Sequence, residues 1–286
     1  MQDLLMNLTF IERGVVAGVI IALICPVVGA FLLVRRVSII SESLSHITLT
    51  GISAGVLLGS TTIWFTDINP MYAGLAFAVA GSLLIEKLRD IYKHFQELAI
   101  PIILSAGVGL SAIFMSLSKS GYTEWYMYLF GSIVSVTRDD LVFIIITAIV
   151  VLIMVVLFYK EFISISFDQE YATVSGISVR LMNQIFAVLV AFVIAMSMKV
   201  VGILLVGAMV VLPVATSIHV AKSFKQVVGY GVGFAQLAML SGIYFSYQFS
   251  IATGGMIVVM GLLQLIVVMM TKKVVLKWQG RDIREH

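Results

Sequence analysis

"SESLSHITLTG", residues 41–51, places a carboxylate, Glu42, and an imidazole, His46, one helical turn apart in an otherwise apolar chain. The same segment carries Ser38, Ser41, Ser43, Ser45, Thr48, Thr50 and Ser53. At 100° per residue, Glu42, His46, Thr50 and Ser53 share one stripe of a helix, and Ile40, Leu44 and Ile47 share the opposite side. A helix this polar does not face lipid; it faces a protein interior or a wet cavity.

Everything around it is greasy. The 286 residues are 60% hydrophobic and 12% charged, with a mean hydropathy of +1.10; soluble domains carry about 25% charged residues. A membrane helix needs about 20 apolar residues, and such runs recur from end to end without the alternation of barrel strands. The expected fold is an all-α polytopic transmembrane bundle forming one domain over residues 1–286. Nine segments read as spans: 14–34, 41–60, 70–86, 99–118, 140–159, 181–199, 201–220, 227–248 and 251–271. The breaks between the sixth and seventh, and between the eighth and ninth, are short enough for a hairpin or a re-entrant pair, so the expected count is eight or nine.

With the N-terminus outside, 14 of the 18 Lys and Arg fall on the inner side, including Arg35, Arg36, Arg89, Arg180 and the C-terminal tail. This bias predicts an outside N-terminus and an inside C-terminus. The opening "MQDLLMNLTFIERG" has Asp3 and Glu12 and no basic n-region, so it reads as an interfacial segment rather than a signal peptide. Cys25, the single cysteine, is read as small apolar filler. Pro70 fits a first helical turn; Pro26 and Pro213 lie inside apolar runs, where each removes a helical hydrogen bond. Gly14 and Gly18, and Gly229 and Gly233, have the spacing of close helix packing.

Glu42 and His46, at i and i+4, can reach one ion. A carboxylate with a neutral imidazole suits Zn²⁺ or Mn²⁺ better than Ca²⁺ or Cu⁺, and the nearby hydroxyls read as a hydrated lining. A plainer reading also stands: Glu42 favoured by the helix dipole in a first turn, His46 bonded to a serine. His94 and His286 sit in charged, solvated stretches, and His219, near an inner helix end, lacks an acidic neighbour in sequence. Residues 160–180, "KEFISISFDQEYATVSGISVR", are too polar to span; Asp168 fits an N-cap and Gly176 a helix end. No G-x-x-x-x-G-K-[ST] loop occurs, so any ATP is bound by another chain. An intramembrane protease would need an H-E-x-x-H pair, which is lacking. A proton-coupled metal transporter using Glu42 and His46 as a relay is the rival reading.

The chain resembles the permease subunits of bacterial zinc and manganese ABC-type importers. Their signature is an arginine, a short apolar stretch and G-D-x-L-[SA]-H-x-x-L-x-G, which here reads "RRVSIISESLSHITLTG"; Glu42 replaces the aspartate and Ser41 the glycine. "VGILLVGAMVVLPVAT" (201–216) matches V-G-x-L-L-V-x-A-x-x-x-x-P-A-A-T at Pro213 and Thr216, and "FDQEYATVSGI" (167–177) matches F-D-x-E-[FY]-A-x-x-x-G-I. "TGGMIVV" (253–259) is similar to the family's S-G-A-x-I-V, with Ser250 and Ala252 where its aspartate and proline stand. The resemblance implies a homodimer in a bacterial cell membrane, a cytoplasmic pair of ATP-binding subunits, and an extracellular or periplasmic metal-binding protein. It implies that Glu42 and His46 line the metal path, that Phe167, Asp168, Glu170, Ala172 and Gly176 form the coupling segment, and that Pro213 and Thr216 shape the pathway. No resident cofactor, enzymatic activity or nucleic-acid partner is expected: the metal is cargo. The run from Asn69 to Gly107 looks more like the zinc-type members, which favours Zn²⁺ over Mn²⁺.

Overall fold

The computed structural model describes residues 9–61, 69–92, 95–118 and 122–278, with backbone only for 122–125 and 275–278. Among them every regular element is helical. The helices are α1 (Phe10–Val34), α2 (Ile40–Thr61), α3 (Pro70–Ile91), α4 (Ala99–Leu117), α5 (Tyr122–Phe130), α6 (Arg138–Leu157), α7 (Tyr159–Phe167), α8 (Gln169–Val174), α9 (Val179–Val201), α10 (Ile203–Ile218), α11 (Phe224–Phe249) and α12 (Thr253–Trp278). Each of the nine segments read from sequence is a helix. Seven are long and apolar enough to cross a membrane. The other two are α2, which is polar, and α10, whose 16 residues rise about 24 Å, short of a hydrocarbon core of about 30 Å.

Local chemistry sets the ends. Thr9 and Glu12 form a capping box, so the first helix starts at Phe10, inside the stretch expected to lie at the interface. Asn69 caps α3 with Pro70 in its first turn. Both α1 and α10 run through their prolines without a break. The single residue between α9 and α10 is Gly202, at φ +87°, a conformation that a side chain would strain. A Cβ there would sit 2.4 Å from the Gly131 nitrogen, and one on Gly254 1.8 Å from the Val201 carbonyl. Three glycines thus let α5, α9 and α12 meet backbone to backbone at one end of the bundle.

Burial grades the helices. In their most apolar windows α1 is 67% and α9 72% buried, whereas α12 is 17% buried, so α1 and α9 form the centre and α12 the apolar rim. Gly14 and Gly18 pack as expected: a Cβ would meet Ile133 at 1.9 Å and Met239 at 2.9 Å respectively. Gly229 and Gly233 do not. Both lie on the exposed side of α11 with nothing within 4 Å; the helix face that packs is the one carrying Gly231, Ala235, Ala238 and Gly242.

At the glycine-lined end sits a buried ion pair that the sequence reading did not anticipate. Lys199 on α9 bonds the fully buried Asp140 of α6. The same carboxylate accepts from Asn69 Nδ2 at 2.8 Å and from the Thr137 amide (2.8 Å) and hydroxyl (2.6 Å). One anion therefore fixes the ends of α3, α6 and α9. Leaving one charge of such a pair unpartnered costs about 3–5 kcal/mol, and removing both costs less. Lys199→Met should accordingly lower the melting temperature of the purified protein more than Asp140→Asn/Lys199→Met does; equal losses would mean that the pair is not what holds this end.

Candidate functional site

The polar helix α2 is wrapped by α3, α4, α9 and α10. Its packing depends on small residues in its neighbours: a Cβ on Gly81 would meet Ile47 at 2.6 Å, and one on Gly74 would meet Ile52 at 2.7 Å. Its own Gly51 faces the Ala73 carbonyl at 2.5 Å by the same measure. Its hydroxyls are spent on carbonyls. Ser45 donates to Ser41 at 2.8 Å, Thr48 to Leu44 at 2.6 Å, Ser43 to Ile100 at 3.2 Å and Thr50 to Gly107 at 2.8 Å. Ser and Thr hydroxyls within a helix commonly turn back to a nearby carbonyl acceptor. Ser53, 1% exposed, is the exception, its Oγ having no partner among the described residues.

Two positions escape this wrapping. From Ile40 to Ala54 every residue is buried except Glu42 and His46. Glu42 Oε1 and His46 Nε2 lie 3.6 Å apart, with the side chains 41% and 17% exposed respectively. The imidazole thus neighbours the carboxylate rather than a serine, and both open to the surface of the chain. Thr50 and Ser53, expected on the same stripe, are buried, so the open stretch is one turn long.

Two glycines hold the pair in place, and the sequence reading missed both. A Cβ on Gly207 of α10 would stand 2.8 Å from Glu42 Oε2, and one on Gly107 of α4 would stand 3.0 Å from the His46 carbonyl carbon. Gly207 falls within the motif around Pro213, at a variable position; only the tertiary approach of α10 to α2 gives it a role. No third His, Cys, Asp or Glu joins the pair among the described residues. Among the described residues the pair thus presents one imidazole nitrogen and one carboxylate.

Pro213 and Thr216 lie on α10, both buried, beyond Gly207. Thr216 Oγ1 donates back to the Leu212 carbonyl at 2.8 Å. His219 is the C-cap of α10, half-buried and away from Glu42 in sequence and helix position. His94 and His286 lie outside the described residues.

The polar stretch 160–180 forms two helices rather than one. α7 completes the descent from α6, and α8 is a separate turn and a half. Asp168 caps it, accepting from the Tyr171 amide at 2.9 Å. Gly176, at φ +83°, ends it, with amide bonds from Gly176 to Thr173 and from Ile177 to Ala172. Ala172 is fully buried, while Phe167 (64%), Tyr171 (66%) and Val174 (88%) stand exposed beside the exposed Glu170.

The α8 segment and the Glu42–His46 pair are not in contact. Arg35 is the C-cap of α1, in the turn that leads to α2. Its Nε donates to Ser166 Oγ at 2.9 Å and its Nη1 to Asn183 Oδ1 at 3.2 Å, and the guanidinium lies over the Phe186 ring at 4.1 Å. Burial pulls its pKa down to about 10, against Glu86, which raises it, and with Arg89, which lowers it further; it remains cationic near neutrality.

Comparison with known proteins places this geometry. The family model "ABC 3 transport family" matches residues 7–272. The manganese transport system membrane protein MntC of Listeria monocytogenes is 30% identical over 254 residues, covering 89% of this chain and 88% of that one. The high-affinity zinc uptake system membrane protein ZnuB of Haemophilus influenzae is 26% identical over 246 residues, covering 86% and 91%. Among solved structures, PsaBC from Streptococcus pneumoniae in complex with Fab shares the fold, with a TM-score of 0.82, 23% identity and coverage of 97% and 98%. A match along nearly the whole chain shows that this protein belongs to the ABC 3 transport family.

Proposed function

We propose that this chain is the membrane-spanning subunit of an ATP-driven importer of a divalent transition metal, and that Glu42 and His46 form its metal site. The observation that carries the reading is the exposure pattern of α2. From Ile40 to Ala54 the helix leaves open only one acid and one imidazole, 3.6 Å apart, with no third His, Cys, Asp or Glu beside them among the described residues. Zn²⁺ prefers a closed tetrahedral set, and a two-fold axis duplicates any residue beside it. Two copies meeting at this opening supply a four-ligand set of two carboxylates and two imidazoles. Such a subunit would place the polar α2 and the short α10 among the seven apolar helices.

The metal is Zn²⁺ or Mn²⁺. The mixed nitrogen and oxygen set accepts both, and relatives named for each match the chain, so the preference for zinc drawn from the Asn69–Gly107 run gains no support from them. ATP is hydrolysed by a separate pair of subunits on the side bearing Arg35 and α8, with N-terminus outside and C-terminus inside. A metal-binding protein delivers the ion from the other side. The exposed Phe167, Tyr171 and Val174, beside Glu170, give α8 an apolar face suited to an ATPase groove.

The test is uptake by proteoliposomes carrying the permease with its ATPase. His46→Ala should abolish uptake of both metals while the complex still assembles. Glu42→Asp should transport and Glu42→Gln should not, since the carboxylate must carry charge. Wild-type uptake by His46→Ala would misplace the site. Uptake that follows an imposed proton gradient and survives loss of the ATPase's Walker lysine would favour the proton-coupled rival.

Two further outcomes follow from α8 and α10. Proline at Tyr171 breaks the capped turn, at a cost of about 3 kcal/mol; it should uncouple ATP hydrolysis from uptake while the permease remains inserted, as should charge reversal at Glu170. Coupled transport by both variants would remove α8 from the ATPase interface. Pro213→Ala should slow transport and leave metal affinity near normal, because the proline shapes α10 beyond Gly207 and offers no ligand; lost affinity with normal rates at saturating metal would contradict this.

A further inference from the structure

Arg35 joins elements that are distant in the chain. It follows directly on α1, five residues before α2 begins and seven before Glu42. Its side chain leaves that turn and crosses to two other helices, binding Ser166 at the end of α7 and Asn183 in the first turns of α9. Ser166 is two residues before Asp168, the cap of α8. The guanidinium is therefore the polar link between the α8 segment and the turn that carries the Glu42 helix.

The surroundings are stiff. Phe162 of α7 meets Phe186 of α9 at 5.4 Å and Phe31 of α1 at 5.9 Å, and Phe31 meets Phe224 of α11 at 5.0 Å. Phe167, the last residue of α7, reaches Phe224 at 6.1 Å. The end of α7, directly before α8, therefore abuts this aromatic block.

The bonding of Arg35 is incomplete for a purely structural cation. Both acceptors, a hydroxyl and an amide oxygen, are neutral, and the buried Nη2 has no partner among the described residues. A buried charge is ordinarily paired. A carboxylate is at hand: Glu86 of α3 lines the same cavity of about 40 Å³, but its Oε1 is held by Arg89 at 2.9 Å. The guanidinium thus has a buried donor without a partner among the described residues, and Arg35 lines a cavity together with an acid whose bond lies elsewhere.

We propose that Arg35 is a positioning residue that couples the α7–α8 segment to α2, so that movement of α8 shifts the turn from which Glu42 is held. This rests on the reading of the chain as an ATP-driven metal permease. The test uses the complete complex in proteoliposomes, reading four quantities together: ATP hydrolysis, metal uptake per ATP, metal affinity by calorimetry and melting temperature. Arg35→Lys keeps the charge and loses the fork. It should lower uptake per ATP about tenfold, as expected for one hydrogen bond to a charged group, with ATP hydrolysis, affinity and melting temperature near wild type.

Ser166→Ala removes the acceptor of Nε and leaves Arg35 in place; it should lower the same ratio by a smaller factor, and it carries the test should Arg35→Lys fail to assemble. An unchanged ratio of uptake to ATP in both variants would overturn the inference, as would a proportional fall of hydrolysis and uptake, or a lost metal affinity with the ratio intact. Failure of the underlying reading looks different: the wild-type complex itself would then import metal without ATP hydrolysis.

Discussion

The constraint on which the structure turns is that α2 carries a carboxylate and an imidazole through an apolar bundle. Polar groups buried in a dry interior are stable only when their hydrogen bonds are met within the protein. The chain meets this twice over. The hydroxyls of α2, Ser53 apart, return to carbonyls of their own helix or of α4, and glycines on α3, α4 and α10 let those helices close around it. Between Ile40 and Ala54, what remains open is the single turn with Glu42 and His46. The polarity of α2 is thus mostly self-consumed, and its chemistry is concentrated on two side chains.

The two ends of the bundle are built by different physics. One end is fixed by the buried Asp140–Lys199 pair and by three glycines in backbone contact, so little can move there without breaking an ion pair. The other end holds an aromatic block and a half-satisfied guanidinium, beside a short capped helix with an exposed apolar face. A rigid end and an end with unused bonding capacity suit a permease driven from one side.

Much of this was legible in the sequence because it rests on composition and local rules. The helical class, the nine segments, the Asn69–Pro70 start of α3, the Asp168 cap and the Gly176 stop are readable from hydropathy and capping chemistry alone. So is the Glu42–His46 pair, since i and i+4 on a helix fixes proximity. The pieces that were not legible depend on which helices meet. Lys199 and Asp140 are 59 positions apart and look like ordinary helix-end charges. Gly207 matters only because α10 crosses Glu42, whereas Gly229 and Gly233 share a packing spacing but face outward. The split of 160–180 into α7 and α8 likewise reflects the burial of Phe162 and Ile165 against the bundle, which no local pattern announces.

The most direct measurement of the central claim is an anomalous-scattering map of the assembled transporter, collected at the zinc and at the manganese absorption edges with the corresponding metal present. The account predicts one peak on the two-fold axis, bound by Glu42 and His46 of both copies, and its loss in His46→Ala. A peak bound elsewhere in the membrane region, or two Glu42–His46 pairs facing away from the axis, would contradict it.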